Sequence, residues 1–174
     1  MFPLNMQNDL LRFMDIKLEH LPRILKWYNK VDEFKYATGI DTEITLQELH
    51  KKYAEVAICS NEFFTGIYTC HGNELIGILK GRVRYENRDA VWISSIVIDT
   101  EFQGAGYGTA ALELLLGYLK KYYKIKTAYL AVVEENTQGR AFWDKMDFKE
   151  IRVIENHFKL NDRHQDVIIL GRQL

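Results

Sequence analysis

The stretch from Glu101 to Leu115, EFQGAGYGTAALELL, places Gly104, Gly106 and Gly108 at alternate positions and then continues with helical periodicity. Glycine is a poor helix former and loses more backbone entropy on ordering than other residues, so its concentration at a helix start needs a reason. The chemistry open to such a segment is anion binding by main chain. The first turn of a helix carries N–H groups without partners and a partial positive charge, and glycine lets the backbone close on a phosphoryl oxygen. Thr109 adds a hydroxyl. Phosphate or pyrophosphate is the expected guest, and a glycine-rich turn without a ligand is the plainer alternative.

The spacing separates the known ways of holding phosphate. A P-loop needs lysine directly after its last glycine, and here Thr109 follows Gly108. The dinucleotide fingerprint is met by Gly104 and Gly106, but its third small position is Thr109, too large for close helix–strand packing. Glu134 stands where a ribose-binding acid would fall, yet hairpin-like strands precede the motif rather than a strand–helix–strand unit. Cys59 and Cys70 form no CxxC pair and have no histidine partner at zinc spacing, so no metal is expected and both are read as buried apolar residues.

The elements that must position this loop follow from pattern. LLRFMDIK reads as a first strand, and HLPRILKWYNK as a helix with Pro22 in its first turn and Leu21, Ile24, Leu25 and Tyr28 on one face. A polar connecting stretch, VDEFKYATGIDTEI, leads to a second helix opened by a Thr45/Glu48 capping box. Three strands, EFFTGIYTC, ELIGILKGRVRY and AVWISSIVI, are joined by HGN and ENRD turns. The glycine stretch then opens a helix to about Tyr122 that buries Leu112, Leu115, Leu116 and Leu119. TAYLAVV is a strand, NTQGRAFWDKM a short helix capped by Asn136, and EIRVIENHF and DVIILGRQL are closing strands. The resulting order, βααβββαβαββ, is mixed α/β rather than alternating βα units.

Composition fits one domain spanning 1–174. A chain of 174 residues buries about 70% of its unfolded surface, and 47% hydrophobic with 27% charged residues is ordinary for a globular protein. A net charge of −1 offers no field for nucleic acid or an anionic membrane. No apolar run is long enough to span a bilayer, and MFPLNMQNDLLRF has no signal-peptide pattern, so a cytoplasmic protein is expected.

One phosphate-binding pattern remains, and it fits throughout. Gln103-Gly104-Ala105-Gly106-Tyr107-Gly108 matches the Q/R-x-x-G-x-G/A signature of the GNAT superfamily of acyl-CoA N-acyltransferases. Downstream, ENTQGRAFWDKMDF resembles that family's N-x-x-A-x-x-F-Y-x-K-x-G-F landmark at Asn136, Phe142, Lys145 and Phe148. Gly139, Trp143 and Asp147 depart from it. The element order is also similar. The resemblance implies a central, mixed but mostly antiparallel twisted sheet of about seven strands with about four helices, its fourth and fifth strands splayed. It further implies that the amides of Gln103, Gly104, Ala105, Gly106, Tyr107, Gly108 and Thr109 hold the pyrophosphate of acetyl-CoA. The pantetheine arm would then pair with the strand edge at Ile96, Val97 and Ile98. Asn136 is the expected side-chain partner for that arm or for the strand gap, and equally a simple helix cap. Phe142 and Trp143 would close over the thioester, or serve as core aromatics. Arg140 and Lys145 either meet the ribose phosphate or are solvated.

By the same resemblance the activity is transfer of an acetyl group to a primary amine, on a small molecule or a protein N-terminus, by direct attack in a ternary complex. A backbone N–H near Ile96 is the expected oxyanion donor. The usual acid and base do not carry over. The base of similar histone acetyltransferases falls at Trp92, that of ribosomal-protein N-terminal acetyltransferases at Ala131, and the usual acidic tyrosine at Trp143. Ser94, Ser95, Tyr36 and Glu33 are the candidates left. A catalytically silent acyl-CoA sensor is therefore the alternative, with a dehydrogenase more distant. Asp32, Glu33 and Asp41, in the segment that walls the acceptor site of similar enzymes, would attract a cationic amine or form a solvated loop. Dimers are frequent in similar proteins.

Overall fold

Alternating apolar residues mark the strands, and apolar residues three and four apart mark the helices. The computed structural model, which describes residues 1–84, 86, 89–160 and 163–174, builds both. In chain order these are β1 (Met6–Gln7), β2 (Leu11–Asp15), α1 (Leu21–Tyr28), α2 (Val31–Thr38), α3 (Leu46–Ala57), β3 (Glu62–Thr69), β4 (Leu75–Val83), β5 (Ala90–Ile98), α4 (Tyr107–Tyr123), β6 (Thr127–Val133), α5 (Thr137–Lys145), β7 (Lys149–Leu160) and β8 (Arg163–Gln173). The strands form one sheet in the order β1-β2-β3-β4-β5-β6-β8-β7. Every neighbouring pair is antiparallel except β5 and β6. This excludes the all-parallel sheet of a dinucleotide-binding fold.

Two elements go beyond the sequence expectation, so the described residues hold eight strands and five α-helices. Strand β1 has 2 residues, too few to display alternation. Helix α2 occupies the stretch expected to be polar connection. It buries only Phe34, so no apolar stripe announces it, and its stability draws on local features. Asp32 and Glu33 sit at its positive end, while Gly39, at φ 70°, closes it with an N–H to the Lys35 carbonyl at 2.8 Å. Cys59 is half-buried and Cys70 exposed, against expectation. Each lies just beyond an element, where its thiol donates to the carbonyl of Glu55 or Asn8. Tyr85 and the Asn87-Arg88 part of the ENRD turn lie outside the described residues.

Two cores sandwich the sheet. On one face α4 and α5 bury Leu112, Leu115, Leu116, Leu119, Trp143 and Met146 against Phe13, Phe63, Ile76 and Leu130. On the other, α1, α2 and α3 bury Ile24, Trp27, Phe34 and Leu49 against Phe64, Ile78 and Val97. Each fully buried leucine on α4 contributes about 1.5–3 kcal/mol, which anchors the helix that carries the glycine loop. The capping box at α3 forms as read, with the Glu48 amide donating to Thr45 Oγ1 and the Thr45 amide to the Glu48 carboxylate.

A bulge divides β5. Lys80 faces Ser95 but Gly81 faces Ile93, so Ser94 is an extra residue on this strand. A side chain at Gly81 would meet the Trp92 carbonyl and the Phe63 ring, so the close approach requires glycine. The bulge also resets which way residues face. Val91 and Ile93 pack toward α4 before it, Ile96 and Ile98 after it, and Val97 turns to the other core. Pairing of β5 with β6 stops at the same point, covering only Ala90–Ile93 against Thr127–Leu130. Beyond it β6 continues on β8 and β5 on β4, so the two strands splay.

Candidate active site

The splay opens a cleft of about 670 Å³ between β5 and β6. That volume lies within the ~300–1,000 Å³ typical of small-ligand sites. Its floor is Ile93–Ile98 of β5, facing Leu130, Ala131 and Val132 of β6. One end is the loop and first turn of α4, at Thr100, Phe102, Gln103, Gly104, Gly106, Tyr107, Gly108 and Thr109. Helix α2 adds Asp32, Glu33, Phe34, Tyr36 and Ala37 to the lining. The start of α5 borders the cleft with Glu135, Asn136, Phe142, Trp143 and Lys145.

Every cofactor-site residue read from sequence lies on this cleft except Ala105, which is exposed outside its lining. Gly104 and Gly106 have φ of 77° and 83°, the left-handed region that favours glycine, with open space where side chains would stand. Gly106 caps α4 without a side-chain hydrogen bond, leaving the first amides of the helix for a ligand. The Gln103 side chain serves the turn itself, its Nε2 donating to the Ile98 carbonyl at 2.8 Å. On the far side of the loop, Asn136 Oδ1 accepts from the Gly139 amide at 2.9 Å and so caps α5. A Cβ at position 139 would meet that side chain in its present placement.

Phe142 is half-buried beside the cleft, and Trp143 behind it is 8% exposed. Their rings meet edge to face at 4.8 Å, and Trp143 packs likewise on Phe148 at 5.2 Å, so both aromatics line the site and belong to the core. Lys145 borders the cleft while Arg140 reaches the Glu134 carbonyl instead. Of the positions where relatives carry a base, Ala131 faces the cleft and Trp92 does not. Ser94, Ser95, Tyr36 and Glu33 all line it. The Ser95 hydroxyl is buried without a hydrogen-bond partner.

Pattern reading missed the attachment of this site to α1. The Trp27 indole N–H donates to Asp99 Oδ2 at 2.8 Å, and the Lys30 ammonium donates to Thr100 Oγ1 at 3.1 Å. Burial opposes ionisation of Asp99. The Trp27 hydrogen bond, the Glu101 amide and the charges of Lys30 and Arg23 outweigh it, and the carboxyl is held below its ordinary range. The ends of these bonds are 72 and 70 positions apart, which no local pattern could reveal. The acidic first turn of α2 and the glycine after it were the signals that could have found this helix.

Fold and site together define a class: an open sheet, parted at a bulge, beside a glycine-rich helix start. The chain belongs to the Acetyltransferase (GNAT) family, whose profile matches residues 21–148. The [ribosomal protein bS18]-alanine N-acetyltransferase of Escherichia coli is 29% identical over 83 residues, 48% of this chain and 55% of that enzyme. The chain thus spans about half the length of the curated relatives it matches. Spermidine N-acetyltransferase from Vibrio cholerae, solved with CoA and spermine, superposes with a TM-score of 0.82 at 22% identity, covering 95% of this chain and 96% of that one. An acetyltransferase from Salmonella typhimurium that modifies the N-terminal serine of ribosomal protein L7/L12 gives 0.82 at 19% identity, covering 96% of each chain. Among the described residues no helix is long and apolar enough to cross a membrane.

Proposed function

We propose that this protein is an N-acetyltransferase that passes an acetyl group from acetyl-CoA to the primary amine of a small cationic molecule, by direct attack in a ternary complex. The observation that carries the reading is the parting of β5 from β6 between a loop of unpartnered amides and a helix bearing exposed carboxylates. Acetyl-CoA supplies a thioester activated toward amines. Its diphosphate fits the amides from Gly104 to Thr109, that of Gln103 being taken by the Thr100 carbonyl, and open space at Gly104 and Gly106 admits phosphoryl oxygens. The β5 edge from Ser94 to Ile98, which has no β6 partner, fits the amide-bearing arm, and Asn136, Phe142 and Trp143 flank it.

The acceptor enters by α2. Asp32 and Glu33 attract its ammonium form, and Asp41, Thr42 and Glu43 border an adjoining cavity that shares both carboxylates. The Vibrio enzyme's named substrate, a polyamine, is of this charge class. A primary amine titrates near 10.4, so neutrality at pH 7 costs about 4–5 kcal/mol. The acceptor's proton leaves toward Glu33, the side of the cleft where negative charge gathers. The neutral amine then forms a C–N bond at the thioester carbonyl, a β5 amide near Ile96 donates to the carbonyl oxygen as charge develops on it, and the C–S bond breaks with CoA leaving as its thiolate.

An acceptor screen with purified protein, acetyl-CoA and a free-thiol readout tests the reading. Thiol release is expected with cationic amines above the amine-free rate. CoA binding without amine-dependent thiol would instead favour an acyl-CoA sensor, a reading to which Trp143 and Ala131 lend support.

A further inference from the structure

We propose that Trp27 and Asp99 form a positioning clasp that holds the cofactor loop at its working height and ties it to the acceptor wall. The inference rests on the acetyltransferase reading and extends it to residues outside the cleft.

Asp99 stands between the end of β5 and the phosphate-facing turn. Its own amide donates to the Ile76 carbonyl at 2.8 Å, which fixes its main chain to β4. Its carboxylate takes the Trp27 indole N–H at 2.8 Å, which fixes its side chain to α1. The turn that follows starts from this double anchorage. Phe102 N–H returns to the Asp99 carbonyl at 2.8 Å, Gln103 N–H to the Thr100 carbonyl at 3.3 Å, and Gly104 and Gly106 follow. A shift of the clasp therefore moves the loop amides as a unit. Positioning errors of about 1 Å far from the chemistry cost enzymes on the order of 100-fold.

The same helix end reaches the acceptor side. Lys30, three residues beyond Trp27, donates to Thr100 Oγ1 and pairs with Glu33 Oε2 at 3.4 Å. One lysine thus touches the cofactor turn and the carboxylate that faces the amine. Trp27 is 2% exposed, so its N–H must find a partner inside the protein, and the partner it finds is the first residue of the turn. A phenylalanine would fill the core without setting the turn.

The test compares the parent protein with Trp27→Phe, Asp99→Ala and Asp99→Asn, using calorimetric titration of CoA and steady-state kinetics with the best acceptor from the screen. Trp27→Phe keeps an aromatic ring, a smaller one, and removes the donor. Asp99→Ala breaks the same contact from the loop side without entering the core, so it reads the clasp even if the first variant fails to fold. Each is expected to weaken CoA binding about tenfold, the scale of losing one hydrogen bond to a charged group, and to raise the amine KM in parallel. The double variant should be no worse than either single one, and Asp99→Asn, which retains an acceptor oxygen, should recover part of the loss. Variants that melt earlier yet bind CoA within about twofold of the parent would overturn the clasp and leave it a stability contact. Failure of the parent itself to bind CoA would remove the acetyltransferase reading, and the clasp with it.

Discussion

At the β5–α4 end of the cleft the groups on offer are main-chain amides, presented by glycines at positive φ and by a strand edge that loses its partner at a bulge. At the α2 end they are carboxylates on an exposed helical turn, steadied by one lysine. A surface of amides depends on backbone path and tolerates few substitutions where φ is positive. A surface of side chains can be rewritten without disturbing the fold. The first end suits a ligand shared across a large family, the second a ligand that differs from member to member.

This contrast can be broken at several points. The largest effect is expected from Gly106→Glu, which puts strain of about 1–2 kcal/mol and a negative charge where the diphosphate would lie. CoA affinity should fall at least about 100-fold in calorimetric titration, since repulsion adds to strain. Unchanged affinity would remove the glycine loop from the site. A smaller and more selective change is expected at the other end. The Asp32→Asn, Glu33→Gln double variant should raise the KM of a cationic amine about tenfold, as two partly solvated charges are lost, and lower kcat, as Glu33 no longer takes the amine's proton, while CoA affinity stays put. If both ligands weaken together, the two ends are not separable in the way drawn here.

The smallest effect concerns the core beneath α1, α2 and α3. Tyr28, buried in α1, has its phenol pushed up to about 12 by desolvation. In an unfolded chain the same phenol ionises near 10. Its contribution to stability is therefore complete below pH 10 and lost as pH rises toward 12, because there the folded state holds a proton that the unfolded state has released. Phenolate absorbance during alkaline titration should show one tyrosine class ionising late, together with unfolding. Ionisation of all tyrosines near pH 10 in the folded protein would contradict the burial.

Much of the cofactor end was legible because its determinants are contiguous. Gln103 to Thr109 lie in one stretch, and α4 carries its leucines at the spacing that commits it to the sheet. Asn136 could be read as a cap from its place before α5, and it is one. The acceptor end was less legible. Helix α2 buries a single side chain, Phe34, and so lacks the periodicity by which α1 was found, and it has no capping box like the one that marked α3. Ala105 stands exposed between Gly104 and Gly106, beside the cleft lining rather than in it.

By itself, then, the order of residues determined the strand and helix types and the glycine turn that opens α4, because each depends on neighbours within a few positions. Tertiary structure alone decided that β5 and β6 part at Ser94, that α2 closes one end of the cleft, and that Trp27 meets Asp99. Those outcomes depend on the packing of segments tens of residues apart, whose mutual placement is set by the two buried cores and leaves no period in the chain.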